Sequence, residues 1–343
     1  MLQLGQFGRK FVQKVKVYIT ASQKTGGVKT FAQGLGAALS DLGYECIIVD
    51  SIRHMLRPEI LRDLRRKDVV LISSLGFGVL NLVARNSIFV LHGFPRLDDA
   101  GLFGFLKVAL ATKLFSSWAT RVTAISQLTY LANASFFGIQ SHRIIGNPFV
   151  PDPNTQAKDA DPSIIRIAYV GRLVAVKRVE QVIKGFLLAT ERTPRLHLKI
   201  VGSGPAESKL RQIGNHSRIS FTGAVPNQVA KSIMQKSEIF ISLAEGEPFG
   251  ITFLEAIQEG CHIICPTTGG QLDWILDYPQ VTLVRNIFDA QEVCDAILKA
   301  AEELHKPKKP LDPNWNQQVA KQYDALIREA LNARSGQPIQ KQL

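Results

Sequence analysis

The stretch Glu238-Ile-Phe-Ile-Ser-Leu-Ala-Glu-Gly-Glu-Pro-Phe-Gly-Ile-Thr-Phe-Leu-Glu255 decides the fold of this chain. Residues 238–244 read as a buried strand, a short apolar run of the kind parallel sheets contain. Residues 252–259 read as a helix that starts near Ile251. Glu247 therefore sits at the carboxyl end of a strand, Gly250 lets a ligand approach the backbone, and Glu255 lies one turn into the helix. A junction of this kind offers free N–H groups to an anion. A phosphate and a polyol could be held there together.

The same alternation of strand and helix runs outward in both directions, which implies parallel sheets. Upstream, strands are predicted at 14–20, 45–50, 68–73, 87–91, 121–125 and 143–145. A helix is expected to follow the first strand through Leu42. Downstream, strands are predicted at 164–170, 197–201, 219–222, 239–243, 262–265 and 281–284, with helices fitting between them, as at 179–190, 206–213 and 227–236. The Pro- and Asp-rich segment 147–162 reads as a linker. A second hinge-like stretch at 305–313 precedes one amphipathic helix, 315–332. The reading is α/β: an N-terminal domain at 1–150, a C-terminal domain at 151–314, and a final helix and tail at 315–343. Two such halves place a ligand cleft between them, facing the strand carboxyl ends.

Composition narrows the function classes. A chain of 343 residues with 45% hydrophobic and 20% charged residues is ordinary for a two-domain globular protein. No apolar run reaches the ~18 residues of a membrane span, and the mixed N-terminus is a poor signal peptide. The four cysteines lack metal-ligand spacing; Cys261 and Cys265 read as buried thiols. A reduced, cytoplasmic setting follows. Charge is uneven. Residues 1–150 hold 18 Lys and Arg against 8 Asp and Glu, whereas residues 151–343 hold 23 against 21. The first half therefore calls for an anionic partner, such as a membrane surface, a phosphorylated lipid or a nucleic acid. No nucleic-acid module or basic–aromatic interleaving is present, which disfavours the last.

Several motifs can carry chemistry. Gly171-Arg172-Leu173 with Lys177 follows a strand, and an arginine fork beside a lysine point charge suits a diphosphate. Gly26-Gly27 opens the first helix; it reads equally as an ordinary turn or as a place where amides meet a phosphate or sugar. His92 ends the 87–91 strand, where it either binds a substrate hydroxyl, shuttles a proton or is simply structural. Gly202-Ser-Gly-Pro205 reads as part of a base or ribose pocket or as a turn. Asp159-Ala-Asp161 has the form of a metal-holding pair, but its place in the linker argues against that role. Arg57, Arg62, Arg65, Arg66 and Lys67 cluster around a short helix. Residues 102–118 form an apolar helix with Phe103, Leu106, Leu110, Leu114 and Trp118 on one stripe, together with Lys107 and Lys113. These two features read as an interfacial membrane contact, or else as a core helix beside a solvated basic face.

Taken together, these motifs and Thr268-Gly269-Gly270 resemble the retaining glycosyltransferases of the glycosyl transferases group 1 family. The resemblance covers nearly the whole chain and is strongest over 164–276. It implies the GT-B fold, two Rossmann-like domains facing a central cleft with a C-terminal helix crossing back to the first. It also implies site roles. Arg172 and Lys177 would hold the diphosphate of a nucleotide-diphosphate sugar, next to Gly171 and Gly202. Glu247 and the amides around Phe249, Gly250, Ile251 and Thr252 would hold the sugar and phosphate. Glu255 would bind the ribose, Gly26 and Gly27 would contact phosphate or acceptor, and His92 would lie near the reacting sugar. Glu247, Arg172, Lys177 and His92 are the expected catalytic group, with no metal and no cofactor beyond the donor. Gln271-Leu-Asp273 departs from the family's usual Pro-Glu after the double glycine. The basic first half points to a lipid-linked glycan acceptor at the inner face of a membrane, as in envelope polysaccharide or lipopolysaccharide assembly. Alternatives are a soluble sugar acceptor and a non-catalytic nucleotide-sugar-binding protein.

Overall fold

The fold was established from a computed structural model, which describes residues 15–21, 26–150 and 163–333. Asp159 and Asp161 lie outside the described residues. The chain forms two six-stranded parallel sheets. The first contains β1 (Lys16–Thr20), β2 (Glu45–Val49), β3 (Val69–Ser73), β4 (Ser87–Leu91), β5 (Arg121–Ala124) and β6 (Arg143–Ile144), in the order β2-β1-β3-β4-β5-β6. The second contains β7 (Ile165–Val170), β8 (Leu196–Val201), β9 (Ile219–Gly223), β10 (Ile239–Ile241), β11 (His262–Pro266) and β12 (Val281–Val284), in the order β12-β11-β10-β7-β8-β9. In each sheet the strand order reverses once, between β1 and β3 and between β7 and β10. Loops diverge at such points and leave a crevice outside the strand carboxyl ends.

Alternation along the strands assigns the two faces. Val17, Ile19, Val70, Ile72, Ile88 and Val90 point into a core shared with the second domain. Tyr18, Val69, Leu71, Phe89 and Leu91 point to the outer face. That face is covered by the Pro58–Asp63 helix, a 3₁₀ segment at Leu75–Leu82 and the Leu97–Trp118 helix. The shared core is completed by the Trp315–Asn332 helix, whose Tyr323, Leu326, Ile327 and Ala330 are buried with Phe31, Leu35 and Leu39 of the Gly27–Asp41 helix. Polar contacts fix this crossing. Tyr44 donates to Asp324 at 2.5 Å, and both Arg121 and Arg143 pair with Glu329.

The apolar stripe on 102–118 does not face a core. The helix begins at Leu97, breaks at Gly101 (φ 63°) and continues to Trp118. Leu102, Phe103, Leu106, Leu110 and Leu114 are exposed, Phe103 at 88%. The opposite side buries Ala109 and Thr112 and packs Phe115 edge-on against Phe89, with ring centroids 6.4 Å apart. The helical period identified a face but not its neighbour, and the core-helix alternative is ruled out by this exposure.

Candidate functional site

The loops after β7 and β10, which flank the reversal in the second sheet, bring the expected site residues together. After β10 the chain stays buried through Ala244, turns at Gly246 (φ 58°) and again at Gly250 (φ 85°), and enters the Ile251–Gln258 helix. Gly250 is required twice over. Its backbone is left-handed, and a Cβ there would lie 2.5 Å from the Phe253 ring. The turn aims the unpaired first-turn amides of the helix, Ile251 and Thr252, into the cleft. The Phe249 side chain does not enter the cleft. It is buried between Trp274 and Trp315, at 5.9 and 6.4 Å, and its carbonyl accepts a hydrogen bond from the Trp274 indole. Phe249 thus anchors the loop, and only its backbone can meet a ligand.

After β7, Gly171 leads through Arg172 to a one-turn 3₁₀ segment, Ala175–Lys177. Lys177 Nζ lies 2.5 Å from Glu247 Oε2, joining the two loops. Arg172 is exposed, and among the described residues its guanidinium faces no carboxylate. Its carbonyl is held by the Tyr169 hydroxyl at 3.0 Å. Burial, with a further push from the Glu247 charge, raises the Tyr169 phenol far above its ordinary value, so it remains a proton donor. The next residue, Arg178, has φ 52°, the single left-handed non-glycine backbone among the described residues. Such a conformation costs ~1–2 kcal/mol, offset here by an ion pair with Glu245 and stacking over Phe288 at 5.0 Å.

Lys177, Arg172 and Glu247 line a cavity of about 380 Å³ with Gly27, His92 and Thr252. His92 comes from the first domain, at the end of β4. Its ring packs edge-on against Phe31 at 4.7 Å. Burial pushes its pKa down to about 4, so near neutrality it is an uncharged imidazole. A second cavity of about 650 Å³ extends from this one past Gly26, Gly171, Gly202 and Ser203 to Asn227, with Glu255 in its wall. Glu255 is 8% exposed. Burial raises its carboxyl to about 7, Lys231 counteracts this, and Glu259 adds to it. Gly202 lines the cavity, but its amide is bonded to the Gly223 carbonyl, and a Cβ there would meet the Gly171 carbonyl at 1.9 Å. Its glycine lets two strand-end loops touch. The Gly171 amide is likewise taken, by Val201. The Gly27 position lies against Ile251, 3.5 Å from where its Cβ would be, so the first helix start abuts the second-domain helix start.

Three contacts escaped the sequence reading. Arg96, in the first domain, donates to the carbonyls of Glu245 and Gly246 at 2.8 and 3.4 Å. Arg178 is held by Glu245. Asp273 accepts from the Gln127 amide at 2.6 Å, at the first turn of the Gln127–Phe137 helix of the other domain. The Gln271-Leu-Asp273 departure therefore carries an interdomain contact, and the Gln271 amide is buried against the Thr268 carbonyl at 2.8 Å. Each of these pairs is distant in sequence, and no local pattern signals them.

In the first domain a further cavity of about 900 Å³ lies over the carboxyl ends of β1, β3 and β4. Ala21, Ser74, Phe77, Phe89 and Val108 line it, with Asp50 and Arg53 at its edge. His92 and Val28 border both this cavity and the 380 Å³ one. Among the described residues, no helix is long and apolar enough to cross a membrane.

Two parallel sheets with a cleft between their reversal points, closed by a returning helix, define a GT-B protein. A starch synthase IV catalytic domain from Arabidopsis thaliana, bound to ADP and acarbose, superposes over 93% of this chain and 99% of that one, with a TM-score of 0.67 at 15% identity. Residues 153–317 match the model of the glycosyl transferases group 1 family. Among curated relatives, the chain is similar to mannosylfructose-phosphate synthase of Agrobacterium fabrum, at 27% identity over 38% of this chain and 31% of that protein. It is also similar to the GDP-mannose:cellobiosyl-diphosphopolyprenol alpha-mannosyltransferase of Xanthomonas oryzae, at 25% identity over 66% of this chain and 61% of that protein. The matched stretch spans about a third of the length of the first curated relatives, 31%, 40% and 29%.

Proposed function

We propose that this protein is a glycosyltransferase that moves a sugar from a nucleotide-diphosphate donor to an acceptor with retention of configuration and without a metal. One observation carries the reading. Arg172, Lys177, Ile251 and Thr252 line the 380 Å³ cavity together with Glu247 and His92. Preorganised cations and a helix start aimed where negative charge develops are the main source of stabilisation for a departing diphosphate. They supply what a divalent ion would otherwise supply. The nucleoside would extend along the 650 Å³ cavity, with its ribose at Glu255 and its base between Ser203 and Asn227.

In this reading the anomeric C–O bond to the diphosphate breaks as the acceptor oxygen bonds on the same face. The acceptor proton passes to a diphosphate oxygen, because Glu247 is held by Lys177 and His92, with its pKa pushed down to about 4, is a weak base. The transition state is oxocarbenium-like. Glu247 orients the sugar hydroxyls and stays paired to Lys177. His92, uncharged, exchanges hydrogen bonds with the sugar.

The acceptor would enter through the 900 Å³ cavity, whose wall includes Val108 on the Leu97–Trp118 helix. The outward face of that helix presents Leu102, Phe103, Leu106 and Leu110 beside Lys107 and Lys113. Arg57, Arg62, Arg65 and Lys67 are exposed on the same layer, while Arg66 pairs with Asp68 at 2.7 Å. An apolar ridge with flanking cations suits docking on an anionic bilayer. We therefore favour a lipid-linked glycan acceptor, as in envelope polysaccharide or lipopolysaccharide synthesis, and a cytoplasmic enzyme bound peripherally at the inner face of the membrane. The mannosyltransferase relative, named for a diphosphopolyprenol acceptor, supports this choice. The test is donor hydrolysis and transfer by Lys177→Ala and Glu247→Ala proteins. Losses of 10²-fold or more are expected; activity near wild type in both would refute the assignment.

A further inference from the structure

The second sheet carries a basic recess at the end opposite the donor loops. Parallel register sets Arg166 beside His197, and the Leu198–Ile219 pairing sets His197 beside Arg218, just ahead of β9. The next row is Ala168, Lys199 and Ser220. The Asn227–Gln235 helix covers β7 and leaves these side chains of β8 and β9 uncovered, bringing Lys236 to the opposite rim. Between them lies a cavity of about 370 Å³. From Arg166 to Gly171, β7 spans ~17 Å at the usual rise per residue, so this recess is separate from the donor cleft.

Its charges are poorly compensated. Arg166 is paired with Glu238, at 3.2 Å. Among the described residues, no carboxylate lies within ion-pair reach of Lys199, Arg218 or Lys236. Like charges gathered across neighbouring strands repel one another. Lysine on an edge strand serves to block sheet-to-sheet pairing, but Lys199 is on β8, an interior strand, while the edge strand β9 offers Ser220 and Thr222 at its exposed positions. The cations thus converge on a concavity and are not spread along an edge. Serine hydroxyls at Ser217 and Ser220 add donors, and Ile233 supplies an apolar wall.

We propose that this recess binds a phosphate monoester. Three unpaired cations and two hydroxyls match a compact dianion with several oxygens. The volume is at the lower end of small-ligand pockets, large enough for a phosphate on a body of three to six carbons. No Phe, Tyr or Trp ring lines it to stack bases, which separates it from a single-stranded nucleic-acid groove. The exposed apolar helix lies on the other domain, which separates it from the proposed bilayer contact.

The full chain is titrated calorimetrically with glycerol 3-phosphate and with inorganic phosphate, against sodium chloride at equal ionic strength. The expected result is saturable binding that weakens at least tenfold in the Lys199→Ala/Arg218→Ala protein and is unchanged in Lys177→Ala. Both altered residues are solvent-accessible, and a Lys199→Gln protein provides a second, milder variant. A lipid source of the same group is read by sedimentation with phosphatidylcholine vesicles containing phosphatidic acid. Pelleting that depends on Lys199 and Arg218 identifies a headgroup, and calorimetric binding without pelleting identifies a free metabolite; both support the recess. Two results overturn it. One is no binding beyond that of chloride, and the other is binding lost in Lys177→Ala but kept in the double variant, which assigns the anion to the donor cleft.

Discussion

Replacing Glu255 by glutamine should make the protein more stable at alkaline pH while weakening its hold on the donor. The carboxyl is nearly sealed in the wall of the nucleoside cavity, and burial raises its pKa from the usual 4.5 to about 7. The unfolded chain releases this proton near 4.5 and the folded one near 7. Between those values the folded state binds more protons, so stability falls as pH rises. The contribution is fully present below 4.5 and is lost as pH passes through 7. The difference of 2.5 units, at 1.36 kcal/mol per unit, amounts to roughly 3 kcal/mol. Glutamine carries no such burden. Urea unfolding of wild type and Glu255→Gln at pH 4.5, 6 and 8 should show near-equal stability at pH 4.5 and a gain of roughly 3 kcal/mol for the variant at pH 8. Donor affinity should fall about tenfold or more, the value of a charge-assisted hydrogen bond to a ribose hydroxyl. Equal stability at pH 8 would show that Glu255 ionises without strain. A stability gain with unchanged donor affinity would remove it from the ribose.

Further outcomes follow from the same geometry. Gly250→Ala forces a side chain onto a left-handed backbone and against the Phe253 ring; a loss of ~1–3 kcal/mol by denaturant unfolding, with donor binding reduced, is expected. Because His92 is uncharged above about pH 4, the rate between pH 6 and 9 should contain no limb from it, and His92→Ala should lower kcat without moving the remaining limbs. Tyr323 is fully buried in the core that joins the final helix to the first domain; Tyr323→Ala should cost ~3–5 kcal/mol in thermal or denaturant unfolding. Phe103→Glu with Leu106→Glu removes exposed apolar groups, so vesicle sedimentation should fall while unfolding shifts by no more than ~0.5 kcal/mol.

Much of the architecture was legible because parallel strands buried on both faces write themselves as short apolar runs. The 87–91 and 281–284 strands match β4 and β12 residue for residue. The 238–255 stretch was legible because a strand, a Pro-Phe-Gly turn and a helix must occur in that order to aim amides at an anion. Arg172, Lys177 and Glu247 were found separately and come together around one cavity. What stayed hidden depends on contacts between distant segments. Arg96 reaches the 245–246 carbonyls from the other domain. The ring of Phe249, whose amide is the expected donor contact, is anchored against Trp274 and Trp315. Gly202, which suggests room for a ligand, makes room for the Gly171 carbonyl. The 102–118 stripe has the period of a core helix, and its exposure follows from which face of the first sheet is already filled.

The central claim is that Arg172 and Lys177 hold the diphosphate of a nucleotide sugar beside Glu247. Melting of the full chain in the presence of UDP-, GDP- and ADP-sugars tests it most directly, since a ligand at a hundred times its Kd stabilises by ~2.7 kcal/mol. One donor class should raise the melting temperature, with the shift abolished in Lys177→Ala and much reduced in Arg172→Ala. No shift with any nucleotide sugar, or a shift of wild-type size in both variants, would contradict the account.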